Sequence, residues 1–132
     1  MATTARATFE LKSFDEETLV ELDGGGKITR ATITRALSGD IEGEAVWETL
    51  MAYGGDGTAT IVGLERLVAT VAGRSGSLVL TTDGEFDGQE MRSTTEVLTD
   101  LAGEELAGLR GTGSTSAPHG PTGTYVLEYE LD

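Results

Sequence analysis

Eight runs rich in β-branched and aromatic residues follow one another along this chain, and turns rich in glycine and aspartate separate them. Side chains alternate most regularly in the last run, where Tyr125, Leu127 and Tyr129 share one face. The segment Gly54–Gly57 is typical of a hairpin turn. The predicted strands are Ala7–Phe14, Lys27–Leu37, Ile41–Tyr53, Thr58–Val71, Ser77–Thr82, Met91–Leu98, Gly108–Ser116 and Thr122–Leu131.

This succession of strands predicts an all-β fold, with residues 1–132 forming a single domain. Eight strands joined mostly by short turns favour a closed antiparallel up-and-down β-barrel, because closure removes exposed strand edges. An acidic linker containing Gly24–Gly26 is expected after the first strand, one helical turn over Leu101–Leu106, and a polar loop over Ser114–Gly123. The interior of such a barrel is either filled by side chains or holds one small ligand.

Composition and charge exclude several classes of chemistry. The chain has no cysteine, which excludes disulfides, thiol nucleophiles and cysteine-bound metal clusters. The formal net charge of −14 disfavours contact with nucleic acids and anionic membranes. Residues Met1–Arg6 lack the apolar core of a signal peptide. We therefore expect a cytoplasmic protein with no metal, no cofactor, and no nucleic-acid or membrane partner.

Two short motifs suggest chemistry but are better explained as loops. His119, the single histidine, lies beside prolines in a sequence that predicts a loop, and no nucleophile elbow or metal-binding partner accompanies it. Gly73–Ser77 has the glycines of a phosphate-binding loop but lacks the Walker spacing and the lysine. We interpret Gly73–Ser77 as a turn that enters a strand.

Glu65 is the main candidate for a functional polar residue. Glu65 and Arg66 interrupt the most apolar predicted strand, and one of two successive strand residues must face inward. An inward glutamate needs a partner, because a bare buried carboxylate is costly. Two interpretations stay open, a structural ion pair that closes the barrel end or an acid or base poised in an apolar cavity. The candidate cationic partners are Arg74, Arg35 and Arg30.

Aromatic side chains that share a strand face are the other candidates for a ligand site. Trp47, Met51 and Tyr53 lie on one face of the third predicted strand, and Tyr125 and Tyr129 share a face of the last. Tyrosine hydroxyls inside a barrel would orient a ligand, whereas outside they would make oligomer contacts. The ligand-binding candidates are Glu65, Arg74, Trp47, Tyr53, Tyr125 and Tyr129, and Glu65 is the catalytic candidate.

Five motifs resemble, in the same order, the signature of a bacterial family of short proteins whose function is unknown. They are Ser38–Gly43, Gly63–Arg66, Gly73–Ser77, Leu106–Gly111 and Tyr125–Tyr129. The resemblance covers nearly the whole chain and implies a calycin-like barrel similar to that of plant allene oxide cyclase. It implies no activity, and no catalytic residue of the related cyclases maps onto a motif here. One departure is Leu78, where the resemblance would place an aromatic residue.

These observations predict a barrel that binds a small hydrophobic molecule in its lumen. A cyclase or isomerase that folds a hydrophobic or polyketide-like substrate in the lumen is the second hypothesis, because such enzymes act largely through shape and exclusion of water. A structural or interaction protein with a filled barrel is the third. We also expect a homo-oligomer, since symmetric assemblies are common among small proteins.

Overall fold

The computed structural model describes residues 2–119 and 121–131 and contains one continuous sheet. Its helical elements are two 3-10 turns, Asp23–Gly25 and Thr99–Leu101. No helix in the described part of the chain is long and apolar enough to cross a membrane. The strands are β1 (Thr3–Glu21), β2 (Lys27–Gly39), β3 (Ile41–Tyr53), β4 (Ala59–Val71), β5 (Arg74–Phe86), β6 (Met91–Val97), β7 (Gly103–Glu104), β8 (Arg110–His119) and β9 (Thr122–Glu130).

The sheet closes on itself into a barrel. Each of the eight long strands described pairs antiparallel with the next long strand along the chain, and β1 pairs with β9. The two-residue β7 lies at the edge of β5, opposite Gly76 and Ser77. The prediction of an all-β, closed, eight-stranded, up-and-down barrel is therefore confirmed.

Strict alternation along the strands decides which side chains enter the lumen. In β9, Tyr125, Leu127 and Tyr129 are buried, whereas Glu128 and Glu130 between and beyond them are exposed. The same period of two runs through β2, β3 and β4. The apolar positions of the sequence therefore face inward and the charged positions face solvent, with the exceptions described below.

Two kinds of glycine shape the barrel. Gly39 and Gly73 lie in hairpin turns with φ of +122° and +82°, a conformation that side chains with a Cβ rarely adopt. Gly43 lies on the inner face of β3, where a Cβ would overlap the backbone oxygen of Val68 and the side chain of Ala69. Glycine therefore permits both tight turns and close approach of neighbouring strands.

The first strand is much longer than the sequence predicts. The acidic segment after Phe14 is not a linker, because β1 continues to Glu21 and pairs with β2 from Ala7 to Glu21. A β-bulge between Leu11 and Ser13 shifts the register of this pairing. The expectation of a linker was wrong because the outer part of β1 is exposed, so its side chains lack the apolar alternation of a half-buried strand.

Three further boundaries differ from the predictions. Strand β5 continues through Asp83 to Phe86, because β6 pairs with that stretch. Strand β8 extends to His119, whose backbone pairs with Thr122, so the predicted polar loop is mostly strand; the side chain of His119 lies outside the described part. The expected helical turn is replaced by a 3-10 turn that ends at Leu101 and by β7.

The lumen is filled at one end, here called the plugged end, and open at the other, the open end. Leu106 and Leu109, in the connection from β7 to β8, are fully buried in the cluster that fills the plugged end. At the open end, β1 separates from β9 after the pair Glu10–Thr122. A smaller cluster surrounds this opening: Ala31, Ile33, Trp47, Met51 and Ile61.

Candidate functional site

A buried polar cluster crosses the middle of the lumen. Arg35 of β2 donates from Nε and Nη2 to Glu65 Oε2 of β4, at 2.9 and 2.6 Å. Tyr125 of β9 donates its hydroxyl to Glu65 Oε1 at 2.9 Å. All three side chains are buried, with exposures of 1% or less. Oε2 therefore has a charged donor and Oε1 a neutral one, so both oxygens of the buried carboxylate are satisfied.

Aromatic rings surround the guanidinium of Arg35. Its central carbon lies 4.7 Å from the centroid of Phe9, 4.6 Å from that of Trp47 and 5.4 Å from that of Tyr125. Among the described residues, Nη1 of Arg35 has no hydrogen-bond acceptor. The π faces of these rings attract the cation and compensate for the missing acceptor.

The environment of Tyr125 keeps its hydroxyl protonated. Burial raises the pKa of Tyr125 well above its ordinary value, and the negative charge of Glu65 raises it further, against an opposing effect of Arg35. A protonated hydroxyl remains a donor to the carboxylate over the whole physiological range. Tyr125 therefore remains a hydrogen-bond donor to Glu65 Oε1.

With the exception of Thr95, the other buried polar side chains described also make hydrogen bonds. The indole Nε1 of Trp47 donates to Thr82 Oγ1 at 2.8 Å, and the hydroxyls of Ser93 and Thr115 lie 2.5 Å apart. The hydroxyl of Thr95 is buried and has no partner among the residues described. The single tryptophan is thus fixed in orientation by a hydrogen bond below the open end.

A cavity of about 390 Å³ lies at the open end of the barrel. Trp47 and Phe9, whose rings contact Arg35, form part of the cavity wall. Among the described residues its wall contains no acidic or basic side chain, and Tyr53 and Gln89 are hydrogen-bonding side chains of this wall. The lining residues are Phe9, Leu11, Phe14, Ile33, Trp47, Met51, Tyr53, Ile61, Phe86, Gln89, Met91 and Ala117.

A second hydrogen-bonded group lies at the rim of this cavity. The hydroxyl of Tyr53 donates to Glu16 Oε2 at 2.8 Å, and Thr29 Oγ1 donates to the same oxygen at 2.6 Å. Burial raises the pKa of Tyr53 to about 12, with the hydrogen bond and charge of Glu16 adding to the effect. The ammonium of Lys27 lies 5.2 Å from the ring centroid of Tyr53. These contacts hold Tyr53 over the opening.

The structure brings some of the predicted site residues together and separates others. Glu65, Trp47 and Tyr125 meet around Arg35, and Tyr53 lies at the cavity rim. Tyr129 is buried in the cluster at the plugged end.

Arg74 is exposed at the start of β5, opposite Val71. Arg74 is therefore six strand residues from Glu65, about 20 Å at ~3.3 Å per residue, and does not pair with it.

Arg35 is one of the three partners that the sequence offers for Glu65, but it is not among the predicted site residues. The sequence does carry a signal that Arg35 faces the lumen, because Arg35 shares a strand face with Ala31, Ile33 and Leu37. Glu16 is not among the predicted site residues, since nothing in an acidic segment marks one carboxylate as the partner of a distant tyrosine. No group of three acidic, histidine or cysteine side chains among the described residues could hold a metal ion.

Comparisons with known proteins agree with this fold. The crystal structure of a protein of unknown function from the DUF3224 family of Shewanella oneidensis MR-1, at 1.84 Å resolution, superposes with a TM-score of 0.84 and 27% identity. The match covers 100% of this chain and 98% of that one. No curated protein matches the sequence. The profile of the family described as "Protein of unknown function (DUF3224)" matches residues 5–129, nearly the whole barrel, and the chain therefore belongs to this family.

Proposed function

We propose that the cavity at the open end binds a small, uncharged, hydrophobic molecule. The observation that carries this proposal is an apolar space of about 390 Å³ in a barrel whose other half is filled. Binding sites for small molecules typically have about 300–1,000 Å³ of volume, mostly apolar walls and few polar groups. The cavity has this composition, with Tyr53 and Gln89 able to orient a ligand.

The charge of the surroundings supports an uncharged ligand. A charged ligand would lose its hydration in the cavity without meeting an opposite charge among the described wall residues. Glu16 at the rim and the net charge of −14 would repel an anion. Arg35 lies against the wall residues Phe9 and Trp47, and Glu65 already neutralises it. An uncharged molecule avoids each of these costs.

The geometry favours binding over acid–base catalysis by Glu65. Both oxygens of this carboxylate accept hydrogen bonds, from Arg35 and from Tyr125, and the residue does not line the cavity. A general acid or base must lie within hydrogen-bonding reach of the group it serves. A cyclase that used Glu65 would first have to break the buried hydrogen bond from Tyr125 or the two from Arg35. We therefore propose ligand binding and assign no catalytic step to Glu65.

N-phenyl-1-naphthylamine, an uncharged dye that fluoresces in apolar sites, tests this proposal. We expect saturable binding, with stoichiometry of one, and quenching of Trp47, which is the single tryptophan. Ala117→Phe adds a ring at the partly buried cavity wall and should weaken binding about tenfold or more, or about 1.4 kcal/mol. Ala52→Phe makes the same change on the exposed face of β3 and should leave binding unchanged.

A competition experiment tests the preference for an uncharged ligand. The naphthalene ketone 2-acetylnaphthalene should displace the dye, whereas 2-naphthoate, of similar shape but anionic, should compete at least about tenfold more weakly. Absence of saturable dye binding, or equal loss in the Ala117→Phe and Ala52→Phe variants, would overturn the proposed site. Equal competition by the ketone and the carboxylate would overturn only the preference for an uncharged ligand.

A further inference from the structure

Strand β1 runs past the barrel wall with one of its two edges uncovered. Pairing with β9 ends at Glu10, and one more backbone bond joins the Leu11 N–H to Pro121 O. Over residues 12–21, here called the free edge, the described part of the chain places β2 on one side of β1 and no strand on the other. At ~3.3 Å per residue the free edge is about 30 Å long. A strand edge of this kind presents backbone groups that can pair with another chain.

Backbone groups along the free edge alternate between pointing to β2 and pointing away from it. The Leu22 N–H points to β2, since it donates to Gly26 O across the turn. The bulge between Thr18 and Val20 adds one residue, and every second residue before that bulge then has its N–H and C=O groups pointing away from β2. Three such residues lie in the regular stretch between the two bulges: Phe14, Glu16 and Thr18.

The two faces of the free edge carry different chemistry. On the inner face, Phe14 lines the cavity and Glu16 is already bound to the hydroxyl of Tyr53. On the outer face, Asp15 and Glu17 make no hydrogen bond or ion pair with the residues described. The inner face therefore offers an apolar contact beside the cavity, and the outer face offers two carboxylates without a counter-charge.

Large apolar side chains are exposed along the same segment. Among the described residues, four of the ten exposed large hydrophobic side chains lie between residues 14 and 22, and each of the four is 44–52% exposed. Exposed apolar groups beside an unpaired strand edge are typical of a surface that another chain covers. The four side chains are those of Phe14, Leu19, Val20 and Leu22.

The charge of the free edge decides which chain can cover it. Two copies paired through their regular stretches would place Asp15, Glu16 and Glu17 of one copy beside the same carboxylates of the other, on molecules of net charge −14. These carboxylates and the two bulges therefore protect the edge against a second copy. A cationic segment meets attraction in place of this repulsion.

We propose that the free edge binds an extended segment of a cationic protein partner, which joins the sheet as a further strand. Antiparallel addition is favoured because its hydrogen bonds are slightly more stable than those of parallel addition. Side chains of the added strand alternate between the two faces, so apolar ones lie beside Phe14 and basic ones lie opposite Asp15 and Glu17. The partner is therefore an extended segment in which apolar and basic residues alternate.

Fluorescence anisotropy with a labelled eight-residue peptide of alternating valine and lysine tests this proposal. We expect one peptide to bind per chain, and binding to weaken about tenfold or more when glutamate replaces lysine. N-methylation of the valine amides should also weaken binding about tenfold or more, because these amides face β1 in antiparallel addition. N-methylation of the lysine amides, which face solvent, should change binding less than about threefold. Absence of saturable binding, or equal effects of the two methylations, would overturn the proposal.

Two matched double variants test where the peptide binds. Asp15→Lys with Glu17→Lys changes the net charge from −14 to −10, since each substitution adds two charges, and should weaken binding about tenfold or more. Glu42→Lys with Glu128→Lys makes the same change at exposed positions of β3 and β9 and should weaken binding less than about threefold. Equal effects would mean that the acidic molecule as a whole attracts the peptide, contrary to the proposal. A dimer of the wild-type chain that the peptide dissociates would identify a second copy as the occupant and would also overturn it.

Discussion

Arg35 and Glu65 form an ion pair across the lumen in which Nη2 lies 2.6 Å from Oε2 and both side chains are fully buried. The two residues belong to β2 and β4, which are not neighbours, since β3 lies between them. Each charge is stable in the interior only because the other is present. The pair therefore joins two strands that share no backbone hydrogen bonds, and its loss affects the whole barrel.

Removal of Arg35 alone should destabilise the protein strongly. Arg35→Met retains a long apolar side chain but leaves Glu65 without its cation, and the expected loss is about 3–5 kcal/mol of unfolding free energy. Adding Glu65→Gln removes the buried charge and keeps an acceptor for Tyr125, so the double variant should recover most of the loss. Urea denaturation at neutral pH measures both changes.

The exposed pair of Arg30 and Glu48 provides the control for this prediction. Its side chains are 58% and 44% exposed, so Arg30→Met should change the free energy of unfolding by about 1 kcal/mol or less. A small effect of Arg35→Met, or a double variant no more stable than the single one, would contradict the interpretation of Arg35 and Glu65 as mutually dependent charges.

The hydroxyl of Tyr125 should make the protein sensitive to alkaline pH. The unfolded tyrosine loses its proton near pH 10, whereas the folded one keeps it because its pKa is raised. The folded state then binds more protons than the unfolded state, so the free energy of unfolding falls as pH rises above about 10. Tyr125→Phe should flatten this fall and cost about 1.5–3 kcal/mol at neutral pH, where the bond to Glu65 is lost.

Denaturant unfolding measured at steps from pH 8 to the alkaline limit separates these two effects. Tyr53→Phe should also flatten the alkaline fall, but less, because Tyr53 is only partly buried and its pKa is raised to about 12. Identical pH profiles for wild type and Tyr125→Phe would show that the tyrosine titrates equally in both states, contrary to the prediction.

The barrel itself is largely predictable from the sequence, because its determinants are local. The glycine turns separate the strands and so indicate their number, and alternation such as that in β9 indicates which side chains face the lumen. Short connections then favour a closed sheet of eight strands. The part of β1 after Phe14 was not predicted as strand, because its residues up to Glu21 pair with β2 while exposing most of their side chains. Pairing that depends on a partner strand leaves little trace in side-chain alternation.

The site is less predictable, because it depends on distances across the barrel. The sequence required Glu65 or Arg66 to face inward, and an inward Glu65 to have a partner. Arg35 shares a face with apolar residues of β2, but only the register of β2, β3 and β4 shows that it reaches Glu65. The open end likewise depends on where β1 leaves β9, which no single strand encodes. Hydrogen-bond partners 30 or 60 residues apart, such as Tyr125 and Glu65, are products of the closed sheet.

Leu106 should be essential to the plugged end. It is fully buried, and its segment is bound to β5, where the Ser75 N–H donates to Glu105 Oε1 at 3.0 Å. Leu106→Ala should cost about 2–5 kcal/mol by leaving a cavity, whereas Leu101→Ala, at a side chain 57% exposed, should cost less than about 0.5 kcal/mol. Similar thermal midpoints for the two variants would show that the β7–β8 connection does not close the barrel.

Glu16 should control the ionisation of Tyr53 at the cavity rim. Burial is the largest cause of the raised pKa, and the hydrogen bond and charge of Glu16 follow. Glu16→Gln removes the charge and should lower the pKa of Tyr53 from about 12 without returning it to the ordinary value of 10, because the ring stays equally buried. Ultraviolet titration of phenolate absorbance in the wild type, Glu16→Gln and Tyr53→Phe variants assigns the signal. Glu17→Gln, an exposed neighbour on β1, should leave the curve unchanged, and an equal shift in that variant would mean that the charge of the whole segment, not the contact with Glu16, sets the pKa.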